Sequence, residues 1–281
     1  MLLRLFAAAS VVLSLSACAG GQAKPKLSAQ TAFAPAAEPH APLKADDPVP
    51  MEPRKWTGEA KKPNTLAGRT LIVSSLKDLK LQPKEVALTF DDGPAPKKTD
   101  RILAILDQYQ VKATFLMLGE MAKAHPDLAK LVVQDGHEAG SHTFHHHDLK
   151  AMAFEQAMQE IDMGRDAVKQ ATGAQEVGFF RFPYLSDTPQ LRHALAARST
   201  VVLDVDIDTK DYFKNDPSQV LDRAMTELNK KQGGIILMHD IHARTITMLP
   251  LLLDRLAAEG YTVVTLHYQR PSAPPEVAGH S

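Results

Sequence analysis

Two histidines four residues apart, His142 and His146, lie in a segment that also holds His145 and His147. If the chain turns helical after His142, the rings of His142 and His146 fall on one face and can share a metal ion. An i, i+3 reading would select His142 and His145 instead. Imidazole suits zinc and its neighbours, and a carboxylate would complete a three-ligand set with one open position, the pattern of hydrolytic metal sites. The adjacent pair Asp91 and Asp92 could supply it. Neighbours in extended chain point in opposite directions, so these two carboxylates are poorly placed to face each other across a substrate as a glycosidase needs. A division of labour is more natural, one binding a cation and the other handling a proton. Asp91-Asp92-Gly93-Pro94 is also ordinary turn chemistry. Arg181 follows one apolar run and could pair with Asp211 or with other site groups. His239 follows the apolar run 235–238, at the end of a buried strand, where a hydrogen-bonded core histidine is the plainer alternative.

The elements that must position these groups alternate regularly. Short apolar or β-branched runs occur at 85–90, 113–118, 138–142, 177–182, 200–207, 234–239 and 261–266, with a possible preceding strand at 70–75. Helical periodicity fills the gaps at 99–110, 121–134, 154–170, 188–197, 217–230 and 246–259. Strand–helix alternation implies parallel strands joined by right-handed crossovers, as a barrel or a doubly wound sheet. In either fold, sites gather at the C-terminal ends of strands, and there five polar clusters fall: 91–94, 142–148, 181–184, 208–212 and His239-Asp240.

The flanks read differently. Residues 1–17 carry Arg4 and then an apolar stretch too short for a spanning helix, the layout of an export signal. Leu15-Ser16-Ala17-Cys18 resembles a bacterial lipobox, and Cys18 is the only cysteine, which excludes an intramolecular disulfide. A lipidated Cys18 would leave the protein exported and membrane-anchored, facing the periplasm or the cell surface. Residues 18–64 hold eight of the 19 prolines without helical or strand periodicity and read as a tether; residues 271–281 read as a tail. A single domain is expected over 65–270. With 32 basic and 33 acidic residues, the chain has no excess positive charge to argue for nucleic acid. Oligomeric state is not legible.

In order, the segments TFDDGP, HTFHH, RFPY, DTKDY and LMHD strongly resemble the polysaccharide deacetylase family with a NodB-like domain, carbohydrate esterase family 4, over about residues 85–266. The resemblance implies a distorted (β/α)7 barrel of the glycoside hydrolase/deacetylase type, one divalent metal, and hydrolysis of N-acetyl groups on an N-acetylglucosamine polymer. It implies Asp92, His142 and His146 as metal ligands, Asp91 as general base, Arg181 as its holder, and His239 as general acid oriented by Asp211. The Tyr184 backbone N–H would stabilise the oxyanion, while Leu237 would line an acetyl pocket. The metal is expected to be zinc, with cobalt, manganese or nickel able to use the same ligands. Peptidoglycan is the first substrate expected for an anchored envelope protein. An O-acetyl esterase and a non-catalytic glycan-binding protein are the alternatives. Tyr212, on a wall of the substrate groove, stands where the family usually has Trp. Leu185 stands where Gly is common, and His145 and His147 replace small or Pro residues.

Overall fold

The computed structural model describes residues 66–271. The expected signal, the lipidation site Cys18, the tether, and all of the tail but Pro271 lie outside the described residues. Among the described residues the elements run β1 (Ala67–Val73), β2 (Glu85–Asp91), α1 (Thr99–Gln108), β3 (Thr114–Met117), α2 (Gly119–Ala124), α3 (Pro126–Gln134), β4 (Glu138–Ser141), α4 (Phe154–Thr172), β5 (Phe179–Phe180), α5 (Pro189–Ala197), β6 (Val201–Val202), β7 (Ile207–Asp208), α6 (Pro217–Lys231), β8 (Gly234–His239), α7 (Ala243–Ala258) and β9 (Thr262–Tyr268). Every strand pair is parallel.

Seven strands form the succession β6–β5–β4–β3–β2–β8–β7. Its two ends are joined in the chain by residues 203–206, so the barrel closes through a loop where a ladder would otherwise run. That interruption splits the single strand expected at 200–207. Its physical reason lies inside the barrel: the Leu203 carbonyl accepts a hydrogen bond from Arg181 Nε at 3.0 Å. β1 and β9 pair with one another, and β9 pairs in register with β2 at Glu85 and Val86. The helix expected at 121–134 is two helices, because Pro126 lacks an N–H and begins α3 instead of continuing α2.

Alternation along the strands separates two cores. Val86, Leu88 and Phe90 of β2, with Ile236 and Met238 of β8, pack under the helices. Ala87, Leu116, Phe179, Val201, Leu203 and Ile235 face the interior, where Val73, Val264, Leu266 and Tyr268 of β1 and β9 close the base. The β2–β8 register sets Ala87 beside Ile235, Thr89 beside Leu237 and Asp91 beside His239. In-register neighbours of a parallel pair project to the same face, so Asp91 and His239 share the barrel mouth.

Candidate active site

The mouth is built from strand ends and the loops that follow. β2 ends at Asp91, and Asp92 then takes φ +77°, a left-handed conformation that turns its carboxylate out of strand alternation. Both carboxylates thereby serve one site despite their adjacency. β4 delivers His142, which is buried. The segment after it is not helical, which corrects the condition attached to the i, i+4 spacing. Left-handed backbone at Thr143 (φ +72°) and His146 (φ +61°) folds it back instead, and the His146 N–H donates to Thr143 Oγ1 at 3.0 Å. The rings of His142 and His146 come to lie 5.0 Å apart. Left-handed non-glycine backbone costs about 1–3 kcal/mol per residue and concentrates at functional sites.

Asp92 Oδ1 stands 3.6 Å from His142 Nε2 and 3.5 Å from His146 Nε2. These gaps are too long for hydrogen bonds. They match the spacing of about 3.3 Å expected between two atoms bound tetrahedrally at about 2.0 Å to one zinc ion. Asp92 Oδ1 is buried and has no hydrogen-bond partner. His142 Nδ1 lies 2.8 Å from the Arg181 carbonyl oxygen, so Nδ1–H donates and the Nε2 lone pair faces the cluster. An orphaned carboxylate oxygen beside two oriented imidazoles fits a divalent metal of the zinc type. The i, i+3 alternative is not what the loop builds: His145 turns away, its Nδ1 2.8 Å from Glu160 Oε1.

Arg181, buried inside the barrel, donates from Nη1 to Asp91 Oδ1 at 2.7 Å and to Thr89 Oγ1 at 2.8 Å. It does not pair with Asp211. That carboxylate, fully buried, accepts from the His239 backbone N–H at 2.8 Å and from Thr245 Oγ1 at 2.6 Å, and its Oδ1 lies 2.7 Å from His239 Nδ1. Burial alone would pull the His239 imidazole down. The charge and hydrogen bond of Asp211, with Asp92 and Asp91 nearby, outweigh it and hold the group up at about 10. Burial likewise opposes ionisation of Asp92, yet the imidazoles of His239, His146, His142 and His242 hold its carboxyl below the usual range.

Tyr184 is exposed and left-handed (φ +58°), with its ring 4.6 Å from that of His146. Leu185 is also exposed. Tyr212 lays its ring 5.5 Å from His239 and donates to Asp208 Oδ2 at 3.0 Å. Leu237 is buried on the interior face, two residues before His239.

Three participants, Thr89, Thr245 and His242, were not singled out from the sequence. Thr89 and Thr245 anchor Arg181 and Asp211, and nothing in their type marks them. His242 brings its ring within 5.8 Å of His239; burial pulls it down to about 4. Asp240, beside His239 and therefore on the opposite face, is buried behind the Asp91–Gly93 turn and accepts from Thr99 Oγ1 at 2.5 Å. Its Oδ2 would lie 2.0 Å from any Cβ at position 93, so Asp240 can sit there only because residue 93 is glycine.

The family model described as polysaccharide deacetylase matches residues 78–200. A chitin deacetylase of Colletotrichum lindemuthianum is 34% identical over 197 residues, covering 66% of this chain and 79% of the relative. A peptidoglycan-N-acetylmuramic acid deacetylase of Bacillus subtilis is 30% identical over 200 residues, 69% of this chain; the match spans only 41% of that longer protein. Among solved structures, a Bdellovibrio bacteriovorus peptidoglycan deacetylase superposes with TM-score 0.64 at 32% identity, over 77% of this chain and 60% of that one.

Proposed function

This chain belongs to the polysaccharide deacetylase family, and on that footing we propose that it hydrolyses N-acetyl groups of an N-acetylglucosamine-containing polysaccharide, releasing acetate. The observation that carries the reading is the convergence, at one barrel mouth, of the Asp92–His142–His146 triplet with the Asp91–Arg181 and His239–Asp211 pairs.

Asp92, His142 and His146 would hold the metal, which when bound polarises the amide carbonyl and acidifies water. Asp91 takes the proton of the attacking water. Arg181 fixes Asp91 Oδ1, leaving Oδ2 on the side of His142 at 3.8 Å from Nε2. His239, on the neighbouring strand, presents Nε2 while Asp211 holds Nδ1. With its pKa near 10 it carries a proton at neutral pH and can give it to the departing amine. The Tyr184 N–H supplies an oxyanion donor, a contribution worth about 10²–10³ in rate for such groups. Leu237 offers an apolar wall to the acetyl methyl, and the Tyr212 ring borders the groove beside His239.

Peptidoglycan is the proposed polymer, supported by the names of the bacterial relatives and by the lipobox-like sequence at Cys18, which would anchor the protein in the envelope. The test is acetate release by the purified protein with added zinc on sacculi, chito-oligosaccharide and poly-N-acetylglucosamine in parallel. Release from sacculi, abolished by chelator and restored by metal, is the expected result. Release from another polymer would reassign the substrate. No release from any of them by metal-loaded protein would overturn the reading in favour of O-acetyl esterase activity, tested on acetylated xylan, or of glycan binding.

A further inference from the structure

Among the described residues, a second group of potential ligands lies close to the first. His145, His147 and Glu160 bring ligand atoms within 4.8 Å of one another. We propose that these three residues form a second, ancillary zinc-type site on the outer side of the histidine loop.

The loop divides its imidazoles between two directions. The His146 ring stands against His142 and Tyr184 at the mouth. The rings of His145 and His147 stack loosely on the other side, centroids 5.3 Å apart and tilted by 30°. Between and beneath them is the Glu160 carboxylate of α4. Its Oε1 lies 2.8 Å from His145 Nδ1 and 3.8 Å from His147 Nδ1. Two ligand atoms sharing a tetrahedral zinc sit about 3.3 Å apart, midway between these values. Glu160 is 7% exposed and is held in place by the loop itself: Oε2 accepts from the His145 backbone N–H at 3.1 Å, which leaves Oε1 facing both imidazoles. The histidine side chains are 42% and 56% exposed, so an ion could enter from solvent and keep an open position there. Two imidazole nitrogens and one carboxylate oxygen are a borderline donor set, matched to zinc, copper or nickel and not to magnesium or calcium.

The location gives the site a consequence. One turn further along α4, Gly164 lets the loop press directly on the helix: a Cβ there would lie 2.3 Å from the Thr143 carbonyl carbon. The Gly119 and Glu120 N–H groups hold the same loop from α2 through the Thr143 and Phe144 carbonyls, at 2.9 and 3.2 Å. An ion across His145, His147 and Glu160 would strengthen the attachment that the His145–Glu160 hydrogen bonds begin and extend it to His147. It would pin to α4 the segment that bears both His142 and His146.

The test is zinc titration of the full chain against a chromophoric chelator, with zinc-dependent thermal unfolding as a second readout. The variants are H145A/H147A, E160Q and D92A/H142A, with the metal-free fold of each checked by circular dichroism. Wild type is expected to bind two zinc ions per chain. H145A/H147A, altered at exposed side chains, should bind one fewer. D92A/H142A should also bind one, and zinc should still raise its unfolding midpoint until H145A/H147A is added. E160Q should match H145A/H147A. A wild type that binds one ion, unaltered by H145A/H147A and lost in D92A/H142A, would overturn the second site while leaving the mouth site standing. One ion lost in H145A/H147A and kept in D92A/H142A would support the second site and count against the mouth site instead.

Discussion

The base and the mouth of the barrel are made by the same strands, two or four residues apart, and obey opposite rules. Along β2 the interior positions run Ala87, Thr89, Asp91; along β8 they run Ile235, Leu237, His239; from β5 onward they run Phe179, Arg181. The base is an apolar layer closed by Tyr268 and Leu266, in which each side chain contributes by excluding water. The mouth is a layer of charges removed from water and held by a few short hydrogen bonds. Breaking one partner of such a pair is costly, while the intact pair contributes little net stability. Most of the stability therefore resides at one end of each strand, and the chemistry at the other.

The largest expected effect tests the mouth. Asp92→Asn removes the carboxylate whose Oδ1 faces both imidazoles without a hydrogen-bond partner. Acetate release should fall by roughly 10³-fold or more, several kcal/mol of transition-state stabilisation. The metal-free variant should also unfold in urea somewhat earlier than wild type at neutral pH, because the surrounding imidazoles favour the charged carboxylate that has been removed. Unchanged unfolding would show that these imidazoles give the Asp92 charge no net stabilisation in the fold. At the base, Phe179→Ala should cost about 3–5 kcal/mol in urea unfolding while the folded fraction keeps its turnover. A loss of turnover at full folding would break the contrast from the other side.

A third change acts through pH. His239 is held up at about 10 mainly by Asp211 against the opposing effect of burial. A raised imidazole stabilises the fold fully below its unfolded pKa of about 6.5, and the benefit fades as pH rises through about 10. Asp211→Asn should therefore lower the melting temperature most near pH 6, with the difference narrowing above pH 10. It should also move the alkaline fall in activity to lower pH; an unmoved alkaline limb would sink the acid role of His239. The smallest effect is expected outside the barrel. Arg255→Ala breaks an exposed i, i+4 pair with Glu259 and should change unfolding free energy by no more than about 0.5 kcal/mol, with no change in acetate release.

Much of the fold was legible because it rests on local pattern. The apolar runs at 85–90 and 234–239 became β2 and β8 within a residue, since a strand buried on both faces has little room for anything else. The run at 200–207 did not, because its middle carbonyl serves Arg181, a partner 22 residues earlier that no window of pattern contains. The break at Pro126 is written in covalent chemistry, but the apolar periodicity runs on through it and masks it.

The site divides in the same way. Residue types and motif order were enough to gather Asp91, Asp92, His142, His146, Arg181, Asp211 and His239 as one set, because metal ligation and proton transfer draw on a short list of side chains. Which imidazole joins His142 was decided by left-handed backbone at Thr143 and His146, not by helical spacing. That Arg181 takes Asp91 and leaves Asp211 to His239 was decided by parallel register and by contacts 90 and 28 residues apart. Glu160, mid-helix and ordinary in sequence, acquired two histidine neighbours only when α4 packed under the loop. Sequence determines which groups exist and which local elements carry them. Direction in space depends on a few loop dihedrals and on pairing between distant strands, so only the tertiary structure decides which of those groups meet.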